Sequence, residues 1–440
     1  MPTTFRPYQP DQALLLAPSL REWLPEGHLA DHVSDLVDGL DLSAFYAPYE
    51  GDGRRKSPYE PAMMVKVLIY GYATGVFSSR GMARRLEEDV AFRVLAAGNF
   101  PSHRTICEFR RRHLADFKRL FAEVVRLARE MGVANFGKLS IDGTKVRANA
   151  SKRKAMSYGR MLEEERRLEG EIGALLDRAR ETDAAEDARF GKDFRGDELP
   201  QELKRREDRL AAIRAAKKRL EARQREADAA RGRKPGMKRN PKGGRPYKRA
   251  YGEPEEQAQD NFTDPESRIM KTSQEGFQQC YNAQVAVEGE NQLIVATEVS
   301  SSATDQGRMV PLLDEVETTF GERPASALAD AGYCNEADLA TLEDRGVDGY
   351  VALGREGRRD VSADAEKHPA KARMAEKLAT AAGRARYAER KWLSEAPNGW
   401  IKEALGFRRF SVRGLDKARG EWGLVCLALN IRRLRGLQAA

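Results

Sequence analysis

Residues 138–142, KLSID, are a short apolar run that ends in Asp142, and residues 326–330, SALAD, are a second that ends in Asp330. An apolar run closed by an aspartate predicts a strand that delivers a carboxylate to the edge of a sheet. Working outward, FQQCYNAQVAV at 277–287 and NQLIVATEV at 291–299 alternate and are rich in β-formers, and a short polar turn joins them as a hairpin. Helical periodicity follows at 305–320 and 335–346, with a strand, DGYVAL, at 348–353. The run from 371 to 405 is largely helical and carries Glu395.

With the charged stretch after Ser151 set aside, the order is three strands, then helix, strand, helix, strand, helix. That is the order of a ribonuclease H-like α/β fold. Its first three strands are antiparallel, and the later ones are added by right-handed crossovers. The first and fourth strands are neighbours in such a sheet, so Asp142 and Asp330 meet, and the helix after the fifth strand brings Glu395 towards them. Three carboxylates in one place are hard oxygen ligands for magnesium. Two magnesium ions about 3.5–4 Å apart activate an attacking oxygen and steady a leaving one.

The 440 residues suffice for two or three cores. Net charge is +8, which favours a polyanionic partner, most simply nucleic acid. Cys107, Cys280, Cys334 and Cys426 form no CxxC pair and no zinc spacing, which fits a reducing compartment. The polar N-terminus is not a signal peptide, and no apolar stretch is long enough to span a bilayer.

Residues 1–134 read as an all-α N-terminal domain. Ser78 or Ser79 caps one helix, the turn GNFPS follows, and a long helix runs from His103 to Gly132. Helix, glycine-containing turn and arginine-rich helix outline a helix-turn-helix, with Arg104, Arg110, Arg111 and Arg112 towards a phosphate backbone. A solvated face on a bundle helix accounts for the same arginines. Residues 135–440 form the catalytic domain, interrupted at 152–262. Stripes of Leu168, Ile172, Leu175, Leu176 and of Leu203, Leu210, Ile213, Leu220 predict a charged helical hairpin with its turn within 184–200. Residues 231–249 are rich in Lys and Arg without an acid, and predict a flexible phosphate-binding segment. Arg233 and Arg245 there suit either minor-groove insertion or a plain basic linker.

Several stretches carry a family likeness: EDVAFRVLAAGNFPSHRTICEFRRRH, KLSIDGTKVRANAS, EDARFGKDFRGDELP, NFTDPESRIMKT, YNAQVAV, LADAGY and IKEALGFRRFSVRGLDKARGEW. At these residues, and in their order, the chain resembles the DDE-type transposases of bacterial insertion sequences. The group concerned has an N-terminal helical transposase domain and a long charged insertion after the first Asp. The resemblance implies that Asp142, Asp330 and Glu395 are catalytic and hold two Mg2+ ions, for which Mn2+ can substitute. It implies binding of the element's terminal inverted repeats, strand cleavage and strand transfer to target DNA. It also implies a cytoplasmic, nucleoid-associated location and a homo-oligomer in the synaptic complex.

Related transposases place Tyr and Arg before the Glu and Lys seven residues after it. Here these are Tyr387, Arg390 or Lys391, and Lys402, expected with Lys145 and Arg147 to contact DNA. Where the family has Pro-Val-Phe-Gly after the Glu, this chain has Ala396, Pro397, Asn398 and Gly399. A catalytically impaired DNA-binding remnant and a ribonuclease H-like nuclease are the alternatives.

Overall fold

A strand from Lys138 to Arg147, β1, forms the middle of a mixed six-stranded sheet in the computed structural model of the chain. The structure describes residues 19–50, 57–190, 201–239, 245–272, 275–354 and 364–438. Numbered along the chain, the other strands are β2 (Ala155–Ser157), β3 (Gln259–Asn261), β4 (Arg268–Thr272), β5 (Gly276–Glu288), β6 (Ile294–Ser300), β7 (Ser326–Ala329) and β8 (Asp348–Val351). β5 pairs antiparallel with β1 on one side, and with β4 and β6 on the other. β7 and β8 extend the sheet in parallel beyond β1.

Counting only the five strands expected from sequence, the spatial order is third, second, first, fourth, fifth. The crossover helices are Met309–Phe320 and Glu336–Asp344. β1 is longer than its apolar run, because β5 goes on pairing with it to Arg147↔Cys280. β4 was not foreseen; its residues RIMKT alternate too weakly to show without their partner.

The N-terminal helices include Pro61–Ala73, Ser79–Glu88, His103–Arg112 and Leu114–Glu130. Ser78 caps the second of these, its Oγ accepting from Gly81 N at 3.2 Å, and Ser102 caps the third in the same way. The single long helix expected from 103 to 132 is two helices broken at His113. His113 is fully buried, stacks on Phe45 and bonds Asp116 at 2.6 Å, so the break lets Phe109 and Phe117 share one aromatic pocket. Gly132 ends the second helix in the left-handed region, as a C-terminal stop requires.

Residues Leu415–Gln438 form a buried helix that packs on Leu114–Glu130, on Pro61–Ala73 and on β6. Through it the N-terminal helices and the sheet share one continuous apolar core, with no gap at residue 134. The charged insertion has its own smaller core. Helices Tyr158–Phe190 and Gln201–Ala230 pack along Met161, Leu168, Leu210, Ile213 and Leu220. Of the expected stripe, Leu176 is exposed. The first helix runs to Phe190, through part of the expected turn, and residues 191–200 lie outside the described residues. β2 and β3 pair as a small sheet at the base of the hairpin.

Candidate functional site

The parallel register sets Ile141 opposite Ala329, so Asp142 and Asp330 are the next residues on adjacent strands. Neighbouring strands run about 4.8 Å apart, which puts the two carboxylates side by side. Asp330 also starts a short 3-10 turn, its Oδ1 accepting from Gly332 N at 2.8 Å. Asp142 is partly buried, and burial pushes its carboxyl up to about 6. An amide hydrogen bond from Asn398 and the charge of Arg390 oppose that rise, and the Asp330 charge adds to it.

A third acid, Asp305, lies in the loop after β6 and was missed in the sequence. Its Oδ1 accepts from Lys145 Nζ at 3.1 Å, Asn282 Nδ2 at 2.6 Å and Gln284 Nε2 at 2.8 Å. Gln284 also accepts from the buried Tyr333 hydroxyl. Asp305 thus ties β1 and β5 to the turn after Asp330. Gly143 makes room for this junction: a Cβ there would lie 2.5 Å from Gln284 Nε2 and 2.9 Å from Asp305 Oδ1. The helix read over 305–320 begins only at Met309, which leaves Asp305 in a loop, and only the fold shows its role.

Glu395 is placed differently from the expectation. It lies on the helix Arg390–Gly399, which packs on β1, but its side chain is 56% exposed. Arg390 Nη2 is 3.4 Å from its Oε1. Arg390 is buried beside Tyr387, and its cation is favoured by Tyr387, Asp142 and Asp330, so this guanidinium sits among the acids that were expected to meet over a metal. Among the described residues no three His, Cys, Asp or Glu side chains converge closely enough to hold a metal ion. The helix passes Pro397, which has no N–H to donate, and continues as a π-turn from Trp400 to Ala404.

Asp142 lies midway along β1 and not at its end, and the residue of this helix that does reach it is Asn398, whose Nδ2 donates to Asp142 Oδ2 at 2.9 Å. Its Oδ1 is buried with no hydrogen-bond partner among the described residues. Two adjacent carboxylates and an unpaired amide oxygen are hard donors, a set that suits a divalent cation. The sequence carried a sign of Asn398, since it stands where the family has Phe. Lys402 is half-buried, and burial lowers its ammonium despite the nearby charge of Asp142.

The other expected DNA contacts divide. Arg110 is buried and donates to Tyr72 Oη at 3.1 Å and to the Phe77 carbonyl at 2.7 Å, so it is a core residue and does not face a phosphate. Arg233 is also buried, bonded to Asp228 and the Arg249 carbonyl under the Tyr247 ring, so it is no insertion arm. The described parts of the segment expected to be flexible, 231–239 and 245–249, thus gather around Arg233, because Asp228 supplies the anion that the segment lacks; residues 240–244 lie outside the described residues. Lys145 is committed to Asp305, and Arg147 pairs with Glu275 at 2.6 Å. Arg104, Arg111, Arg245 and Lys391 are exposed, Arg111 with Glu108 as its partner.

Two stretches of the chain match known families. Residues 18–112 match a transposase domain, DUF772, and residues 249–431 match a transposase DDE domain. The second match holds Asp330 and Glu395 and leaves Asp142 outside it. Both matches are to transposase domains, the second a DDE domain, and this order is consistent with an insertion-sequence DDE transposase. No curated protein and no solved structure matches the chain. Among the described residues no helix is long and apolar enough to cross a membrane.

Proposed function

We propose that the chain binds the ends of an insertion sequence and catalyses metal-dependent strand cleavage and strand transfer on a ribonuclease H-like sheet. The observation that carries this is the pair Asp142, midway along β1, and Asp330, just past the end of parallel β7, held at one level at the centre of the sheet by the register. A divalent ion bound there, Mg2+ or Mn2+, would polarise a phosphodiester and generate a nucleophile from water. Asp142 and Asp330 would hold it, with Glu395 joining once Arg390 is drawn to a phosphate. Arg390 and Lys402 flank the aspartates and would take the backbone of the scissile strand. Asp305 braces β1 and β5 beside the two aspartates through Lys145, Asn282 and Gln284. Arg104, Arg111, Arg245 and Lys391 are exposed and would face the flanking duplex. Synapsis of two ends calls for at least two copies of the chain. Residues 1–134 would serve end binding and 135–440 catalysis, with 152–262 inserted.

The test is cleavage of an element-end duplex by purified protein with Mg2+. Asp142→Asn is expected to abolish nicking while retention of the duplex on a gel stays within about twofold of wild type. Unchanged nicking by that variant would remove the proposal. Strand-transfer products, as opposed to nicks alone, separate a transposase from a plain nuclease.

A further inference from the structure

Asn398 carries an unusual combination of contacts. It is 8% exposed, it sits three residues beyond Glu395 on the same helix, and it faces β1. Its amide nitrogen is spent on Asp142 Oδ2 at 2.9 Å. An ionised carboxylate only accepts, so the amide must turn its nitrogen to Asp142, and its oxygen must point elsewhere. That oxygen is buried and unpaired among the described residues. Leaving a buried acceptor without a donor costs about 1–3 kcal/mol. A partner that removes this cost must be small and must be a donor or a cation.

We infer that Asn398 is an oxygen donor to the divalent cation held by Asp142, directly or through one of the cation's waters. One side chain thereby does two jobs: its nitrogen orients the carboxylate, and its oxygen adds a neutral ligand. A neutral ligand here has a reason. Asp142 and Asp330 already repel each other, and a further buried anion would raise the cost of the metal-free state. Pro397 and the π-turn at Trp400–Ala404 set the side chain's place, because they break the regular helix immediately around it. A larger apolar residue at this position could neither hold Asp142 nor face a cation.

This inference rests on the metal-site reading of Asp142, and the experiment separates the two. Mn2+ is titrated into the full-length metal-free protein without DNA, with calorimetry and the loss of the free Mn2+ paramagnetic signal as readouts. Asn398→Leu, close in size and devoid of both functions, is expected to weaken Mn2+ binding roughly ten- to a hundredfold, the usual effect of removing a supporting ligand. Asn398→Asp restores an oxygen and loses the donor. It is expected to bind Mn2+ at least as tightly as wild type, and to melt at a lower temperature when metal-free because two carboxylates then face each other. Leu-variant affinity equal to wild type overturns the inference. Equal weakening in both variants also overturns it, by assigning Asn398 to the orientation of Asp142 alone; the Asp arm decides if the Leu variant does not fold. Asp142→Asn serves as the control: if it leaves Mn2+ binding intact, the metal-site reading itself is wrong, whatever Asn398 does.

Discussion

Asp142 is a carboxylate whose ordinary ionisation is resisted by its surroundings. Burial holds its protonation midpoint at about 6 in the fold, against 3.8 for the free group. A raised folded value means that the native state keeps the proton longer than the unfolded chain. The resulting stabilisation is complete below about pH 3.8 and is lost as pH rises through about 6. At pH 8 the metal-free protein therefore carries an unfavourable charge, costing about 1–2 kcal/mol once partial exposure is allowed for. Asp142→Asn should make the metal-free protein more stable than wild type at pH 8 by about that amount, and the gain should vanish near pH 4. Saturating Mn2+ should reverse the order at pH 8, since a cation stabilises only the ionised form. Urea titrations at the two pH values, with and without Mn2+, measure all three; a variant less stable than wild type at pH 8 without metal would contradict the account. The same desolvation is the reason that sequence alone could mark Asp142 but not its state. The apolar run LSID announced an acid on a strand but put it at the strand's end, whereas β1 runs on past it to Arg147; Asn398 and Asp305 become its neighbours only through the fold.

At the scale of elements, periodicity was most informative where one face is buried. β5 and β6, the crossover helices and the two hairpin stripes were legible because each presents a repeated apolar side to a core. The break at His113 was not, because 103–132 keeps one amphipathic pattern across it, and the burial of His113 against Phe45 is a tertiary effect. The basic segment misled for a related reason: its composition is that of a free arm, and Asp228, outside it, folds Arg233 inward. Charge also fixes the root of the hairpin. Asp260 on β3 is fully buried and takes Arg219 through Nε at 3.0 Å and Nη2 at 2.6 Å, with Arg223 on its other oxygen. Asp260→Ala leaves two facing guanidiniums without their anion. Loss of one member of a buried ion pair costs about 3–5 kcal/mol, and the partial exposure of both arginines places this case near 3. Trypsin should cut the 201–230 helix much faster in the variant, while amide exchange in β5 stays as in wild type. Equal protection of both segments in the two proteins would show that the hairpin does not depend on this cluster.

The whole molecule is joined by one buried polar node. Glu421, on the C-terminal helix and inaccessible to solvent, accepts from Tyr72 Oη at 2.5 Å and from Ser411 N at 2.8 Å, with Arg110 Nη1 at 3.9 Å. Tyr72 and Arg110 belong to the N-terminal helices, and Ser411 to the segment that leads from the π-turn into the last helix. Close packing accompanies the node: a Cβ on Gly420 would sit 2.5 Å from Leu114 Cβ, so only glycine lets the two helices approach this far. The helical character of the N-terminal region and the strands of the sheet could be read from pattern, because pattern is local. Their fusion into one core could not, since Tyr72 and Glu421 are 349 residues apart in the chain. Glu421→Gln keeps the shape and removes the charge that Arg110 needs in a dry interior. The expected loss is about 3 kcal/mol, the lower end for an orphaned buried ion. If the two regions form one cooperative unit, that loss appears everywhere at once. Native-state amide exchange should then show the slowest amides of Pro61–Ala73 and of β5 losing protection by the same free energy. Faster exchange confined to Pro61–Ala73 would instead make the N-terminal helices a separately unfolding module, able to hold or release DNA without disturbing the sheet that carries Asp142 and Asp330.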